Sequence, residues 1–186
     1  MNSFLFRFAA DMSALKRWLL SLKECRCPFC HCAKSLNRHS FICGNDPACH
    51  QGQHIKGQRV FCSDRGQRGG CGRTFPVFLA DILPRFTVSA SLLWQLLGLL
   101  LEGQTIYSAV PKLRQAFCRG TFYRIVHLVR QRLDLLRSFL CRICPPPASS
   151  QSDPLLQTVE HFRAAFPQTD CPAQAFQTHF QADLLG

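Results

Sequence analysis

Four cysteines in two groups give the strongest chemical signal in the sequence. Cys27 and Cys30 form a CxxC turn, and eight residues rich in Gly and Arg separate Cys62 from Cys71. A CxxC turn lets two thiolates converge on one ion, and Zn²⁺ in structural sites favours a closed tetrahedron of four soft ligands. We therefore predict that these four cysteines bind one structural Zn²⁺. Free or disulfide-paired thiols are the alternative.

Further thiols and imidazoles lie beside the first CxxC turn and in the 31-residue insertion that follows it. They could form a second metal site from Cys25, Cys32, Cys43, Cys49, His50 and His54. However, Cys25 alternates with Cys27, and Cys32 with Cys30, so on extended backbone each pair would point to opposite faces. Ordinary thiols and loop histidines are therefore the alternative interpretation.

The residues around the cysteines offer short β-prone pieces but too little apolar area for a core, so a metal is needed to hold them. We assign residues 25–84 to a zinc ribbon with insertions. Before it, Phe4, Phe8, Met12, Leu15 and Leu19 recur at helical spacing, which predicts an amphipathic helix within residues 1–24.

Helical patterns dominate after Pro84. Helices are predicted from about Ser89 to Leu101, over 106–116 and from Gly120 to about Arg142, which makes residues 85–144 a helical domain. Residues 145–153 are a Pro/Ser linker, and two short helices form a tail at 154–186. The predicted fold class is therefore mainly α, with a small β zinc ribbon.

Positive charge is concentrated in the predicted ribbon and helical domain. The net charge is +11, and residues 1–144 hold 21 Lys or Arg against seven Asp or Glu. A basic body attracts polyanions through counterion release, so nucleic acid is the leading partner class. An excess of charge that only increases solubility is the alternative.

The last long predicted helix combines an apolar stripe with basic faces. Phe122, Val126 and Val129 begin a three-four spacing that continues to Leu140. We predict base contacts from Tyr123, Arg124 and His127 near its start and phosphate contacts from arginines, since a recognition helix presents its first turns to the bases. The whole predicted DNA-contact set is Arg119, Thr121, Tyr123, Arg124, His127, Arg130, Arg132 and Arg137, with Arg65, Arg68 and Arg73 around the second cysteine pair. The alternative is a helix-bundle or homodimer seam with solvated arginines.

The order of these motifs resembles the N-terminal modules of insertion-sequence transposases and related small proteins of bacterial mobile elements. The resemblance covers roughly residues 25–142 and includes CPFC at 27–30, RVFC at 59–62, GCGRTF at 70–75, a leucine-rich helix, the segment 102–106 and a basic final helix. It implies that residues 85–144 form a domain like a helix-turn-helix, that the ribbon cysteines bind zinc, and that the helix after Gly120 binds element DNA.

Catalysis by the chain alone is not expected. Eleven acidic residues are spread singly and form no carboxylate cluster of the kind that holds two divalent cations in nucleases and transposases. Hydrolase, phosphate-loop and dinucleotide motifs are also missing from the sequence.

The sequence further favours a cytoplasmic protein, associated with the nucleoid if it binds DNA. Arg7 and Asp11 interrupt the apolar stretch that a signal peptide needs, and twelve cysteines suit a reducing compartment. The most apolar segment, Leu92 to Leu101, is about half as long as a membrane span, so no membrane partner is expected.

The sequence leaves two functions open. The chain is expected to be an accessory or regulatory DNA-binding protein of a mobile element. Alternatively, it is an interaction module that bridges a recombinase or transposase partner through its apolar helices, without direct sequence-specific DNA binding.

Overall fold

The computed structural model describes residues 6–45, 53–65, 69–113 and 117–186. The chain divides into two compact units between Ile82 and Leu83, and each has its own hydrophobic core. Below, the part up to Ile82 is called the sheet unit and the part from Leu83 the helical unit.

The sheet unit contains four strands, β1 (Phe8–Ala9), β2 (Leu36–Asn45), β3 (Gln53–Cys62) and β4 (Thr74–Leu79). They form one mixed sheet in the order β1-β4-β3-β2, with β1 parallel to β4 and the other pairs antiparallel. Of the described residues, 43% are helical and 19% lie in strands or bridges. The expectation of a mainly α chain with a small β zinc ribbon is therefore wrong, and the chain is mixed α and β.

The error has a physical cause. Two of the strands are ten residues long, and their Arg, His and Gln side chains hid the alternation that would have marked them as a sheet. Val60 and Val77 are fully buried on one face of that sheet, so the strands build a core that the sequence did not predict.

Helix α1 (Met12–Leu20) covers this face with its buried residues Leu15 and Leu19. The carboxylate of Asp11 accepts a hydrogen bond from Ala14 N at 2.6 Å and so caps the helix start. The helix is shorter than the predicted one because Phe8 and Ala9 pair with β4 instead. Residues 1–5 of that prediction lie outside the described residues.

The helical unit is built from helices alone within its described residues. They are α2 (Ala90–Leu101), α3 (Ile106–Ala109), a 3-10 helix (Val110–Leu113), α4 (Arg119–Gln131), α5 (Leu133–Leu140), α6 (Pro154–Ala165) and α7 (Pro172–Phe180). Side-chain caps fix three of the starts: Ser89 accepts from Leu92 N, Thr105 and Ser108 form a reciprocal capping box, and Asp153 accepts from Leu155 N.

The long helix predicted after Gly120 is broken in the structure at Arg132. Arg132 N donates to Val129 O, which tightens the last turn of α4, and Leu136 N donates to Arg132 O to begin α5. Because Phe122, Val126 and Leu136 are all buried, the apolar stripe still faces one core on both sides of the break.

Helices α6 and α7 are part of the same core as α2, α4 and α5. Leu155, Val159, Phe162 and Phe176 are buried there, and the Phe162 and Phe176 rings lie 5.4 Å apart. Their apolar side chains therefore stabilise the helical unit itself.

Candidate metal centre and basic surfaces

Four cysteine sulfurs converge at one end of the sheet unit. The Sγ atoms of Cys27, Cys30, Cys62 and Cys71 all lie within 4.8 Å of one another. Two of the separations are 3.7 Å, between Cys27 and Cys71 and between Cys30 and Cys62. The four cysteines that the sequence grouped therefore do lie together.

The first two sulfurs are positioned by a tight turn. Cys27 N donates to Cys32 O at 3.0 Å and His31 N donates to Cys27 O at 2.9 Å. Phe29 N points back at the sulfur of Cys27, 3.4 Å away. His31 adopts a φ of 58°, in the left-handed region, which turns the chain back directly after Cys30.

The other two sulfurs are brought together by the end of β3 and the approach to β4. Cys62 N donates to Arg73 O and Gly72 N donates to Cys62 O, so the backbone around Cys62 is paired with the backbone around Cys71. Cys71 N lies 3.4 Å from the sulfur of Cys62 and donates to it. A Cβ at Gly70 would overlap the carbonyl oxygen of Ser63 and lie 2.8 Å from the Cys62 sulfur, so this approach requires glycine.

The geometry fits a tetrahedral metal ion. Four sulfurs about 2.3 Å from a zinc ion would be about 3.8 Å apart, close to the two 3.7 Å separations. A disulfide would need about 2.05 Å, and all four cysteines are free. Because the four thiolates would fill the coordination sphere, such a site would be structural and would leave no open position for a substrate.

The surroundings shift the pKa values of two of the thiols in opposite directions. Burial raises the pKa of Cys27 from 9.0 to about 12, so without a metal this thiol keeps its proton at neutral pH. A hydrogen bond from the backbone N–H of Cys32 lowers the pKa of Cys30 to about 7. The hydroxyl of the buried Ser35 lies 3.2 Å from the sulfur of Cys62. Backbone donors of this kind stabilise thiolate ligands.

The residues of the predicted second metal site do not lie together within the described ranges. Among the residues placed there, the quartet is the only group of three or more potential ligands that meets the distance requirement. Cys25 donates to Ser21 O, Cys32 donates to Ala33 O, and Cys43 and His54 lie on β2 and β3. Cys49 and His50 lie outside the described residues, so the second site stays a prediction.

Two of the predicted ribbon arginines lie at the surface near the quartet. Arg65 and Arg73 are exposed, and the guanidinium carbon of Arg73 lies 5.3 Å from the ring centre of Phe29, within the first cysteine turn. Phe29 is itself 43% exposed. Arg68 lies outside the described residues.

Helix α4 has an apolar side and a side that carries most of its predicted contact residues. Phe122, Ile125, Val126 and Val129 turn the apolar side of the helix into the core. The opposite side exposes Arg119, Tyr123, Arg124 and His127, while Thr121 is half-buried. Helix α4 contains no acidic residue, so every charge on this exposed side is positive.

Two further predicted contact arginines are engaged inside the helical unit, and a third is half-buried there. Arg130 forms an ion pair with Asp153. Arg137 donates to Thr158 Oγ1, Pro154 O and Gln157 Oε1. Arg132 is half-buried, and its Nε atom is buried without a hydrogen-bond partner among the described residues. Arg130 and Arg137 hold α6 to α4 and α5, a role that spacing along one helix could not reveal.

Sequence reasoning also missed two residues that lie beside the basic side of α4. Tyr107 lies under Arg119, whose guanidinium carbon is 3.9 Å from the ring centre, and so holds Arg119 at the helix start. Gln104 lines a crease below Tyr123 and His127. Tyr107 belongs to no motif, and Gln104 lies in the segment 102–106 noted above, where its residue type alone did not single it out.

Within the described ranges, no helix combines the length and the apolar character that crossing a bilayer requires. Comparison with protein-family models, with curated proteins and with solved structures gives no match for this chain.

Proposed function

We propose that the chain is a DNA-binding protein in which the four-cysteine cluster holds a structural Zn²⁺ and the exposed side of α4 contacts DNA. The observation that carries this proposal is the basic side of α4, where Arg119, Tyr123, Arg124 and His127 are exposed on a helix without acids. The opposite side of the same helix is anchored by four buried apolar residues, so the basic side is held rigidly.

Zinc is the metal that best suits the cluster. Four thiolates in tetrahedral arrangement select Zn²⁺ or iron, and zinc is the usual ion of closed structural sites. The metal would connect the first cysteine turn to the end of β3 and so fix Arg65 and Arg73, two exposed cations, on an ordered surface. Both units would then present positive charge to a phosphate backbone.

The biological setting is proposed from the resemblance of residues 25–142 to transposase N-terminal modules. We infer an accessory or regulatory protein of a bacterial mobile element, acting without catalysis of its own. A reading frame for a recombinase beside the gene is the expected genomic context.

The experiment compares two double variants in binding to duplex DNA, followed by fluorescence anisotropy from about 50 to 200 mM salt. Arg119→Ala with Arg124→Ala removes two exposed charges from α4. Arg142→Ala with Arg163→Ala removes two exposed charges elsewhere in the helical unit and is the matched control. Removing one phosphate contact should reduce the steepness of log K against log salt by about 0.9.

The first variant should therefore bind more weakly with a flatter salt slope, while the control should resemble the parent protein. Absence of DNA binding at the lowest salt, or equal effects of the two variants, would contradict the proposed role of α4. Thermal unfolding of all proteins checks that the folds are intact.

A second candidate function is the bridging of a recombinase or transposase partner. It is favoured by a groove of about 650 Å³ in the sheet unit, bordered by Leu20 and Phe41, which are 77% and 57% exposed. Leu20→Lys with Phe41→Lys should then abolish co-purification of a recombinase and leave DNA binding through α4 unchanged.

A further inference from the structure

A crease of about 410 Å³ lies in the helical unit beside the basic side of α4. Leu100, Val126 and Leu155 supply apolar lining, and Tyr123 and His127 stand at its α4 border. Its volume falls within the range of pockets that hold small organic ligands. The crease is therefore large enough for a flat heterocycle.

The polar groups of the crease are few and fixed. Arg130 donates through Nη1 and Nη2 to the two carboxylate oxygens of Asp153, at 2.9 and 2.7 Å. Asp153 also accepts from Leu155 N at 2.9 Å, so the pair is held from both sides. Such an arrangement orders one wall of the crease before any ligand enters.

One polar group of the lining lacks a partner. The Oε1 atom of Gln104 is buried and accepts no hydrogen bond from the described residues. A buried acceptor without a donor is unfavourable, and the terminal torsion of a glutamine is soft. An N–H group of a ligand in the crease could therefore be accepted by this amide after a small rotation.

The residues around the opening suit a nucleotide. The Tyr123 ring is 51% exposed and offers a stacking surface, and the neighbouring Arg124 is exposed on the same side of α4. Base stacking on aromatic rings together with arginines for the backbone is the usual means of binding single-stranded nucleic acid. A nucleobase also carries N–H groups, one of which could donate to the unpartnered Oε1 atom of Gln104.

We propose that this crease binds one unpaired base of a nucleic acid strand, with Tyr123 stacking on the base and Gln104 accepting a hydrogen bond from it. The inference rests on the proposed function, because the strand reaches the crease through the basic side of α4. It adds a preference for unpaired DNA, such as exists at melted or nicked ends.

The test uses two probes of about 12 nucleotides, a normal single strand and the same backbone made entirely of abasic residues. Both carry the same phosphate charge, so the difference between their affinities for the protein measures the contribution of the bases. The parent protein should bind the normal strand about 5- to 100-fold more tightly than the abasic one. Tyr123→Leu should remove most of this difference.

Gln104→Leu should lower the affinity for the normal strand by about fivefold, without lowering the melting temperature, because it removes a buried acceptor that has no donor. Leu135→Ala changes an exposed apolar residue of α5 outside the crease and should behave as the parent.

The possible failures are distinguishable. If the parent protein binds duplex DNA but does not discriminate between the two single strands, the crease does not bind a base, and the proposed function stands. If variants at Tyr123 and Gln104 keep the full discrimination, the inference is also wrong. If neither duplex nor single strand binds, both the inference and the proposed function fail.

Discussion

Arg130 and Asp153 join α4 to the N-terminal cap of α6 through two hydrogen bonds of 2.9 and 2.7 Å. Asp153 has a second role, since its carboxylate caps α6 by accepting from Leu155 N. One carboxylate thus fixes both the start of a helix and its attachment to α4. Arg130, which the sequence predicted to contact DNA, is thus also a structural residue of the helical unit.

Asp153→Ala should destabilise the helical unit by about 1 to 2 kcal/mol. The larger part is the loss of the helix cap, because a partly exposed ion pair contributes only about 0 to 1 kcal/mol. Urea unfolding followed by circular dichroism measures the change. Asp170→Ala removes an exposed carboxylate and is the control, for which we expect a change of less than about 0.5 kcal/mol.

The stability contributed by Asp153 should depend on pH. Hydrogen bonding to Arg130 lowers the pKa of this carboxyl below its usual 3.8. A lowered pKa in the folded state means that the contribution is complete above pH 3.8 and is lost as the pH falls through the lower folded value. The free energy of unfolding should therefore decrease below about pH 4, and Asp153→Asn should show a weaker decrease. If the parent protein and the Asp153→Asn variant lost stability equally in acid, Asp153 would not be the carboxyl responsible for the decrease.

Metal analysis of protein purified under reducing conditions should give one zinc ion per chain. Cys27→Ser should lose the ion and unfold the sheet unit, since structural zinc contributes on the order of 10 kcal/mol to small modules. Cys141→Ser, at an exposed cysteine of the helical unit, should retain it. A stoichiometry of two would instead support the second site predicted around Cys49 and His50.

Zinc binding should release protons and weaken in acid. The raised pKa of Cys27, about 12, means that at pH 7 this thiol must lose a proton to bind the ion. Lowering the pH from 8 to 6 also protonates Cys30, whose pKa is about 7, so the apparent affinity should fall. Calorimetry in buffers of different ionisation enthalpy counts the protons released. A pH-independent affinity would show that these thiols are not the ligands.

Gly70→Ala should reduce zinc affinity by about ten- to a hundredfold, because a Cβ there overlaps Ser63 O and pushes against the Cys62 sulfur. Gly69→Ala is a matched neighbour with open space around its Cβ and a φ of 59°. It should cost about 1 kcal/mol of stability through backbone strain and leave zinc affinity nearly unchanged. Competition with a chromogenic chelator measures the zinc affinity of both variants. A similar weakening of zinc binding in the two variants would show that the close approach at Gly70 is unimportant.

The sequence by itself determined which cysteines belong together, because two close pairs of soft ligands carry their chemistry in their residue type and spacing. It also determined the apolar side of α4, since Phe122, Val126 and Val129 repeat at the helical period. Both signals are local, so no knowledge of distant contacts was needed.

Only the tertiary structure decided which strands pair in the sheet and which arginines stay exposed. The strands β2 and β3 are paired by hydrogen bonds between residues distant in the chain, such as Arg38 with Val60, and their polar side chains masked the pattern. Whether an arginine is available to a ligand depends on what packs beside it. Arg130 and Arg137 meet Asp153 and Thr158 at α6, whereas Arg124 stays exposed, and that difference arises between residues more than twenty positions apart in the chain.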